Sequence, residues 1–401
     1  MVALLSAMIL ALIVEDFPVP GFQGLSLAEV FALVLLPLIP VIFLKRRFRF
    51  ALTNAFSSST LIFLIITALL IVAEIIHLSL ARGELNAGVG AFEHLTRRLL
   101  GLAVIISALT LDIRESSLRT LVGCVIALAT LQALSIILGV TWGVNFHPER
   151  FAASRIGIFD IQSASLGVIS TKGMVAIIFS AAALGVLNLK GENTRSFVFK
   201  SAFLLLLLFA SLLSGSRSIF FSLVIAFVTF FIARRSKFDT NNLSFLALAV
   251  GVLLVLFLQP ISEFFNAVIL RDGSEGRLVM GLQALDMYIA HPLFGIGPHQ
   301  RIFQMYVGGE ILENGSHNLI LQALLYGGVV GAAWIAALLR VLWIGVRVDP
   351  AKNLPLVLAF LLPSMFFQPL QSAFVSWSLM FAVIVYSVRC SVRHTANTAL
   401  R

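Results

Sequence analysis

The sequence predicts an all-α, polytopic integral membrane protein, and three observations support this fold class. Hydrophobic residues make up 59% of the 401 residues, charged residues make up 12%, and the mean hydropathy is +1.02, values far from those of soluble globular chains. Apolar stretches close to the ~20 residues that cross a ~30 Å hydrocarbon layer recur along the chain. The alternation over ~10 residues that is typical of outer-membrane strands is missing from the sequence. Helices, which satisfy their own backbone hydrogen bonds, are therefore the predicted spanning elements.

The apolar runs between polar breaks predict about twelve transmembrane helices within a single transmembrane domain, residues 1–401. In chain order the predicted spans are Met1–Val14, Leu27–Leu44, Ser59–Leu80, Leu99–Leu111, Leu118–Val140, Ala164–Leu187, Phe197–Leu213, Ser218–Ile232, Leu243–Leu258, Leu319–Val341, Leu354–Phe374 and Val375–Val388. The first span is short and no basic residue precedes it, which argues against a cleaved signal peptide. An apolar core of this length leaves that alternative open.

The basic residues predict the orientation of the spans. The net charge is +9, and the Lys and Arg clusters fall on alternate predicted loops: 45–49, 190–200, 234–237, 347–352 and the tail after residue 388. By the positive-inside rule these loops and both termini are cytoplasmic, which agrees with an even number of spans. This sorting accounts for the charge without a nucleic-acid partner. Cys124 and Cys390 lie in or at the end of predicted spans, so we expect no disulfide.

One long connection, residues 261–316 between the ninth and tenth spans, is predicted to lie on the extracytoplasmic side and to form part of the functional site. A loop of this length in a compact bundle usually has a function. Asp272 is a plausible N-cap with Glu275 three residues later, and His291-Pro292 is expected to end the helix. The apolar positions that follow at helical spacing are Leu278, Leu282, Leu285 and Ile289. We therefore expect an amphipathic helix that lies on the membrane surface or covers the bundle.

A histidine stands where the chain enters the tenth predicted span, in the stretch ENGSHNLILQALLYGGVVG at Glu313–Gly331. The imidazole of His317 has an ordinary pKa near ~6.5 and can accept a proton from a hydroxyl group at ambient pH. Alternatively, it is a helix-start histidine that only bonds a neighbouring carbonyl. The residues alone leave both interpretations open.

Arginines on the predicted extracytoplasmic side are candidates for binding an anion. Arg217 occupies the short turn between the seventh and eighth spans, where the orientation rule does not place positive charge, and Arg277 lies in the long loop. A guanidinium stays charged and can bind phosphate oxygens through paired donors. The alternative is a solvated cation at the membrane interface. Arg271 and Arg301, in the same loop, are weaker candidates.

Three ionisable residues are predicted to lie inside spans. Lys172 is expected about two turns inside the sixth span, where an ionisable group is a functional candidate by default. The competing interpretation is that its ammonium reaches the outer interface. Glu74 and His77, one turn apart in the third span, are expected to pair with each other.

Signatures of nucleotide and metal chemistry are missing from the sequence. It has no Walker or Rossmann glycine pattern, no Gly-x-Ser-x-Gly and no Asp-x-Asp, and the spacing of His291, His299 and Glu310 is not a known ligand pattern. We therefore predict no metal, no cofactor and no nucleotide. An enzyme with its polar groups on the outer face would take an activated lipid as its high-energy donor.

Several short motifs resemble the O-antigen ligase and polymerase superfamily of bacterial envelope-polysaccharide enzymes. The pattern His-Asn-x-x-Leu-Gln followed by Gly-x-x-Gly is matched by His317, Asn318, Leu321, Gln322, Gly328 and Gly331. Arg277 before HPLFGIG at 291–297, and Ser214-Gly215-Ser216-Arg217 at the head of a span, also resemble this family. Tyr326 stands where many relatives carry an acidic residue. The resemblance covers roughly residues 211–334.

The resemblance implies a fold similar to the membrane-embedded GT-C glycosyltransferases. It implies inverting, metal-independent transfer from an undecaprenyl-diphosphate-linked glycan, on the periplasmic side of the bacterial inner membrane. His317 would be the general base, and Arg217 and Arg277 would bind the diphosphate. The candidates for supporting roles are Asn318, Lys172, Arg271 and Arg301.

Two alternatives stay open. The favoured enzyme is a ligase that uses lipid A-core as acceptor, and the other is a polymerase that extends a second lipid-linked glycan. A transporter or flippase of lipid-linked glycans belongs to a different class, in which charged groups and broken helices lie at the midplane of repeated halves. The sequence has no obvious internal repeat, and its polar residues concentrate outside the spans, which favours the enzyme.

Overall fold

The computed structural model describes residues 1–14, 25–37, 55–80, 89–110, 114–144, 167–169, 171–189, 194–214, 216–233, 273–298, 303–307, 310–314, 318–365, 369–370 and 373–399. Within these ranges the protein is a helical bundle with one two-stranded hairpin. The helical fold class predicted from composition is thereby confirmed.

The described helices coincide with some of the predicted spans and differ in extent from others. They are α1 (Val2–Ala11, continued by a 3₁₀ turn at Leu12–Val14), α2 (Leu27–Leu33), α3 (Ala55–Leu80), α4 (Val89–Thr110), α5 (Glu115–Thr141), α6 (Lys172–Leu187), α7 (Thr194–Leu213), α8 (Arg217–Ala233), α9 (Gly273–Ala290), α10 (Leu319–Gly327), α11 (Val329–Val348), α12 (Pro350–Ser364) and α13 (Phe374–Ala399).

Five of the described helices are long and apolar enough to cross a membrane. Their apolar segments are Ser58–Ser79, Glu115–Thr141, Arg195–Leu213, Val329–Val348 and Phe374–Val392. Shorter apolar helices occur at Val2–Val14, Leu27–Pro37, Lys172–Leu187 and Ser218–Ile232. The predicted ninth span, 243–258, lies outside the described residues, so the total of twelve stays a prediction.

The tenth span was predicted wrongly, because Leu319–Val341 is divided between two helices. Gly328, with φ 55° and ψ −123°, separates α10 from α11 in a conformation that favours glycine. Gly331 lets the first turn of α11 approach the backbone of α10, since a Cβ at this position would overlap the carbonyl oxygen of Ala323. The 20 residues of α11 are long enough to cross the membrane alone, at ~1.5 Å per residue.

The sixth span also begins later than predicted. Lys172 is the first residue of α6 and is exposed, so it does not lie two turns inside a helix. Gly167 has φ 73°, and the non-helical backbone that follows is bonded to side chains of α5. Gln132 accepts the N–H of Ile169 at 3.0 Å and donates to its carbonyl at 3.2 Å, and Ser135 Oγ accepts the preceding N–H at 3.1 Å. These side chains replace the hydrogen bonds that a helix would provide in an apolar environment.

Aromatic side chains form the centre of the core, where α3, α11, α12 and α13 meet. The rings of Trp334 and Trp377 are 5.8 Å apart, and Phe63 lies 5.5 Å from Trp334. Both indole N–H groups are satisfied, one by Thr67 Oγ1 at 2.9 Å and the other by Ser364 Oγ at 3.0 Å. The core therefore buries large rings without leaving these two donors unpaired.

The long loop contains a hairpin that was not predicted. Strands β1 (Phe303–Val307) and β2 (Glu310–Asn314) pair antiparallel, with Phe303 opposite Asn314 and Val307 opposite Glu310. The sequence signal was present, since two Gly residues separate two short runs that contain aromatic or branched residues. The all-α prediction was wrong for this element alone among the described ones.

The helix predicted in the long loop is confirmed as α9, which ends directly before His291-Pro292. Ala284 is buried, and Gly281 faces Leu321 of α10, against which α9 packs. Large apolar side chains of α9 point away from the bundle; they are Leu282, Leu285 and Ile289. This arrangement suits a helix at a membrane surface.

Candidate active site

The structure describes the proposed reacting residues to different extents. His317, Arg271 and Arg301 lie outside the described residues. The backbone places Arg217 at the first position of α8 and Arg277 in the second turn of α9. That these side chains converge stays a prediction.

Asn318, predicted as a supporting residue, caps α10. Its Oδ1 accepts the backbone N–H groups of Ile320 at 2.9 Å and Leu321 at 3.2 Å. The first N–H groups of a helix have no partner within the helix, so an N-terminal Asn is a preferred residue at this position. The amide therefore determines where α10 begins, directly after His317 in the sequence.

Gln322, the next polar residue of the motif, joins α10 to the segment before α13. Its side chain is buried, and its Oε1 accepts the N–H of Leu370 at 3.2 Å. Removal of this acceptor would leave a buried backbone N–H unpaired. The motif Gln thus has a structural role in holding α10 against the bundle.

The turn after α9 is bound to the end of α10 by backbone hydrogen bonds. The N–H of Ile296 donates to Leu325 O at 2.7 Å, and the N–H of Val329 donates to Leu293 O at 3.2 Å. Gly295 has φ 69°, and a Cβ there would overlap the carbonyl oxygen of Leu325. Gly295, together with Gly328 and Gly331 of Gly-x-x-Gly, is therefore needed for close contact between two backbones.

His77 also contacts this turn, which contradicts the expected pairing of Glu74 with His77. His77 Nε2 lies 2.7 Å from the carbonyl oxygen of Phe294. Because a carbonyl oxygen only accepts, Nε2 carries the proton in this contact. The α3 helix presents His77 to the turn after α9, while Glu74, one turn earlier, is buried.

Glu74 lies in a buried polar cluster that sequence reasoning missed. Arg98 on α4 donates to its carboxylate from Nη2 at 2.6 Å and from Nε at 3.0 Å, and His94 Nε2 lies 3.2 Å from Oε2. Glu74, Arg98 and His94 are 0%, 2% and 8% exposed. The available signal was the spacing of His94 and Arg98, one helical turn apart on a largely apolar helix. We call these three residues the Glu74 cluster.

No group of three or more potential metal ligands occurs among the side chains that the structure describes.

The chain matches a known family over the part that contains these elements. A family model matches residues 202–336, which include α8, α9, α10 and the beginning of α11. That family is O-Antigen ligase. The resemblance inferred from the motifs is confirmed for this segment, about a third of the chain. No curated protein matches the chain significantly. The O-antigen ligase match and the apolar helices support a membrane protein that functions in O-antigen or polysaccharide assembly.

Proposed function

We propose that the protein is an inverting, metal-independent glycosyltransferase that moves a glycan from undecaprenyl diphosphate to lipid A-core in lipopolysaccharide synthesis. The observation that carries this proposal is the O-antigen ligase match, because Arg217, Arg277 and His317 all lie within residues 202–336. The protein acts in the bacterial inner membrane, with both termini in the cytoplasm and the active site on the periplasmic side.

In the proposed reaction, an acceptor hydroxyl oxygen attacks the anomeric carbon of the donor sugar from the side opposite the diphosphate. The new glycosidic bond forms as the carbon–oxygen bond to the diphosphate breaks, and its electron pair leaves with the diphosphate. His317 takes the hydroxyl proton as general base, a contribution of ~10²–10⁴ in rate. Attack from the opposite side inverts the configuration of the anomeric carbon.

The two arginines bind the diphosphate and stabilise the negative charge that grows as it leaves. Fixed cations in a site that excludes water stabilise such charge strongly, and loss of one donor commonly costs ~10²–10³ in rate. The paired donors of Arg217 and Arg277 suit phosphate oxygens. Their charge does not depend on pH over the physiological range.

The contact between α9 and α10 supports a shared site for Arg277 and His317. Gly281 of α9 faces Leu321 of α10. Arg277 lies four residues before Gly281 in α9, about one helical turn from the contact, and His317 precedes Leu321 by four residues in the sequence. The capped start of α10 at Asn318 is adjacent to the proposed base.

The test is transfer by the purified protein in lipid vesicles, with a lipid-diphosphate glycan, candidate acceptors and a chelator, and without nucleotide. His317→Ala and Arg217→Ala should keep normal membrane abundance and lose transfer by ~10² or more. The matched controls are His291→Ala, an exposed histidine in the turn after α9, and Arg195→Ala, an exposed arginine near the predicted cytoplasmic end of α7. Full transfer by either site variant would refute the assignment.

A deletion strain separates ligase from polymerase. The ligase proposal predicts that all glycan-capped lipopolysaccharide disappears, because no chain can be joined to lipid A-core. A polymerase would instead leave lipopolysaccharide that carries a single repeat. Complementation with His317→Ala should fail to restore whichever product is lost.

A further inference from the structure

The Glu74 cluster lies between α3 and α4, among helices that are otherwise largely apolar. A charged pair in such an environment is costly to bury, and apolar residues of similar volume often stabilise a protein as well or better. Ionisable groups held inside membrane helices are accordingly functional candidates. Stability alone therefore gives no account of why this cluster is present.

The cluster contacts α10 through Tyr326. The guanidinium carbon of Arg98 lies 5.7 Å from the centre of the Tyr326 ring, and the His94 ring meets the same ring nearly edge-on at 5.9 Å. Tyr326 is 2% exposed and lies in the last turn of α10. On another side, Arg98 lies 4.5 Å from the ring of Phe374, the first residue of α13.

Arg98 thus contacts two aromatic rings while Glu74 holds its guanidinium group in one orientation. The bidentate pairing restricts the guanidinium plane, and a cation above an aromatic ring is attracted by the ring's negative face. Cluster and ring thus form one unit that joins α3, α4 and α13 to the last turn of α10.

Because Tyr326 lies in the last turn of α10, this unit can affect the position of the first turn, which follows the proposed base in the sequence. From Leu319 to Gly327, α10 is about 13 Å long at ~1.5 Å per residue, so a tilt at its last turn displaces its first turn. Asn318 caps that first turn, directly after His317 in the sequence. A misplacement of ~1 Å at reacting groups can cost ~10²-fold in rate.

We propose that the Glu74 cluster, acting through Tyr326, fixes the position of α10 and thereby positions the proposed base, which directly precedes Asn318 in the sequence. This inference rests on the proposed function for its effect on rate. Its effect on α10 itself is independent of that function and can be measured separately.

The main test is the double variant Glu74→Leu with Arg98→Met, which removes both charges together and avoids leaving one of them unpaired. We expect membrane abundance and thermal unfolding close to wild type, with kcat lowered ~10-fold or more and KM for the lipid-linked donor changed little. Tyr326→Leu should reproduce the fall in kcat. Tyr326→Phe keeps the aromatic ring and should leave kcat near wild type.

The matched control is Glu29→Leu with Arg97→Met. Arg97 is the neighbour of Arg98 on α4, and its Nε donates to Glu29 on α2 at 2.8 Å. This control pair joins α4 to α2, so its removal should leave kcat near wild type. An equal loss of kcat in the control variant would overturn the positioning role, as would wild-type kcat in the cluster variant.

Amide hydrogen exchange of peptides that cover residues 319–327 provides the second readout. Exchange should rise ~10-fold in the cluster variant and in Tyr326→Leu, while peptides of α5 stay as in wild type. Unchanged exchange in α10 would refute the positioning role even if the protein had no transferase activity. Absence of transfer by the wild-type protein would instead count against the proposed function alone.

Discussion

Replacement of Asn318 tests the connection between the start of α10 and the proposed base. Asn318→Ala removes the acceptor for the N–H groups of Ile320 and Leu321. Loss of such a cap typically costs about 0.5–2 kcal/mol. If this whole cost falls on the active arrangement of α10, the rate of glycan transfer should decrease about 2- to 30-fold, at ~1.4 kcal/mol per tenfold.

The assay is the initial rate of transfer by the reconstituted protein at saturating acceptor, together with hydrogen exchange of the first turn of α10. Asn318→Ser keeps a neutral cap and should recover most of the rate. Asn318→Asp also keeps the cap, but it adds a negative charge beside His317 and should raise KM for the diphosphate-linked donor. A full rate for Asn318→Ala, or equal losses for the Ala and Ser variants, would refute the capping role.

Two further predictions concern the elements that differ from the sequence-based expectation. Gln132→Leu leaves the buried N–H and carbonyl of Ile169 without this partner, and at about 1–3 kcal/mol for each group it should destabilise the protein by ~2–6 kcal/mol in detergent unfolding. Ser135→Ala removes one bond to the same segment and should cost less; a larger loss for Ser135→Ala would contradict this ranking. Gly331→Ala should lower thermal stability and transfer together, because the added Cβ overlaps Ala323 O and α10 must move; a variant with wild-type unfolding temperature would show that the packing can adjust.

Several parts of the fold could be predicted because they depend on local composition. Long apolar runs such as those of α3 and α5 require helices in a membrane, since no water is present to satisfy the backbone. The extent of α9 was also predictable, because an N-cap signal, helical periodicity and a His-Pro terminator agree. The hairpin was missed although two glycines separate its strands, because runs of five residues are short beside the helical pattern of the rest of the chain.

The candidate site was predicted only in part. The motif from His317 to Gly331 identified the correct family segment, which the match over residues 202–336 confirms. It did not identify Gln322 as the residue that binds the segment before α13, because its partner lies 48 residues away in the sequence. The Glu74 cluster was missed for the same reason, since Glu74 and Arg98 belong to different helices. The cap formed by Asn318 is local, and an Asn directly before an apolar helix is a signal that could have predicted it.

The amino-acid sequence by itself determined that this chain forms apolar helices, that charge sorting predicts their orientation, and that its C-terminal half carries O-antigen ligase motifs. Only the tertiary structure decided where helices begin and break: α6 starts at Lys172 because Gln132 of another helix satisfies the backbone before it, and Gly328 divides α10 from α11. It also decided that Glu74 pairs with Arg98 and His77 with a loop carbonyl. The physical reason is that backbone helicity follows from local composition, whereas the partner of a buried polar group is chosen by whichever distant segment packs against it.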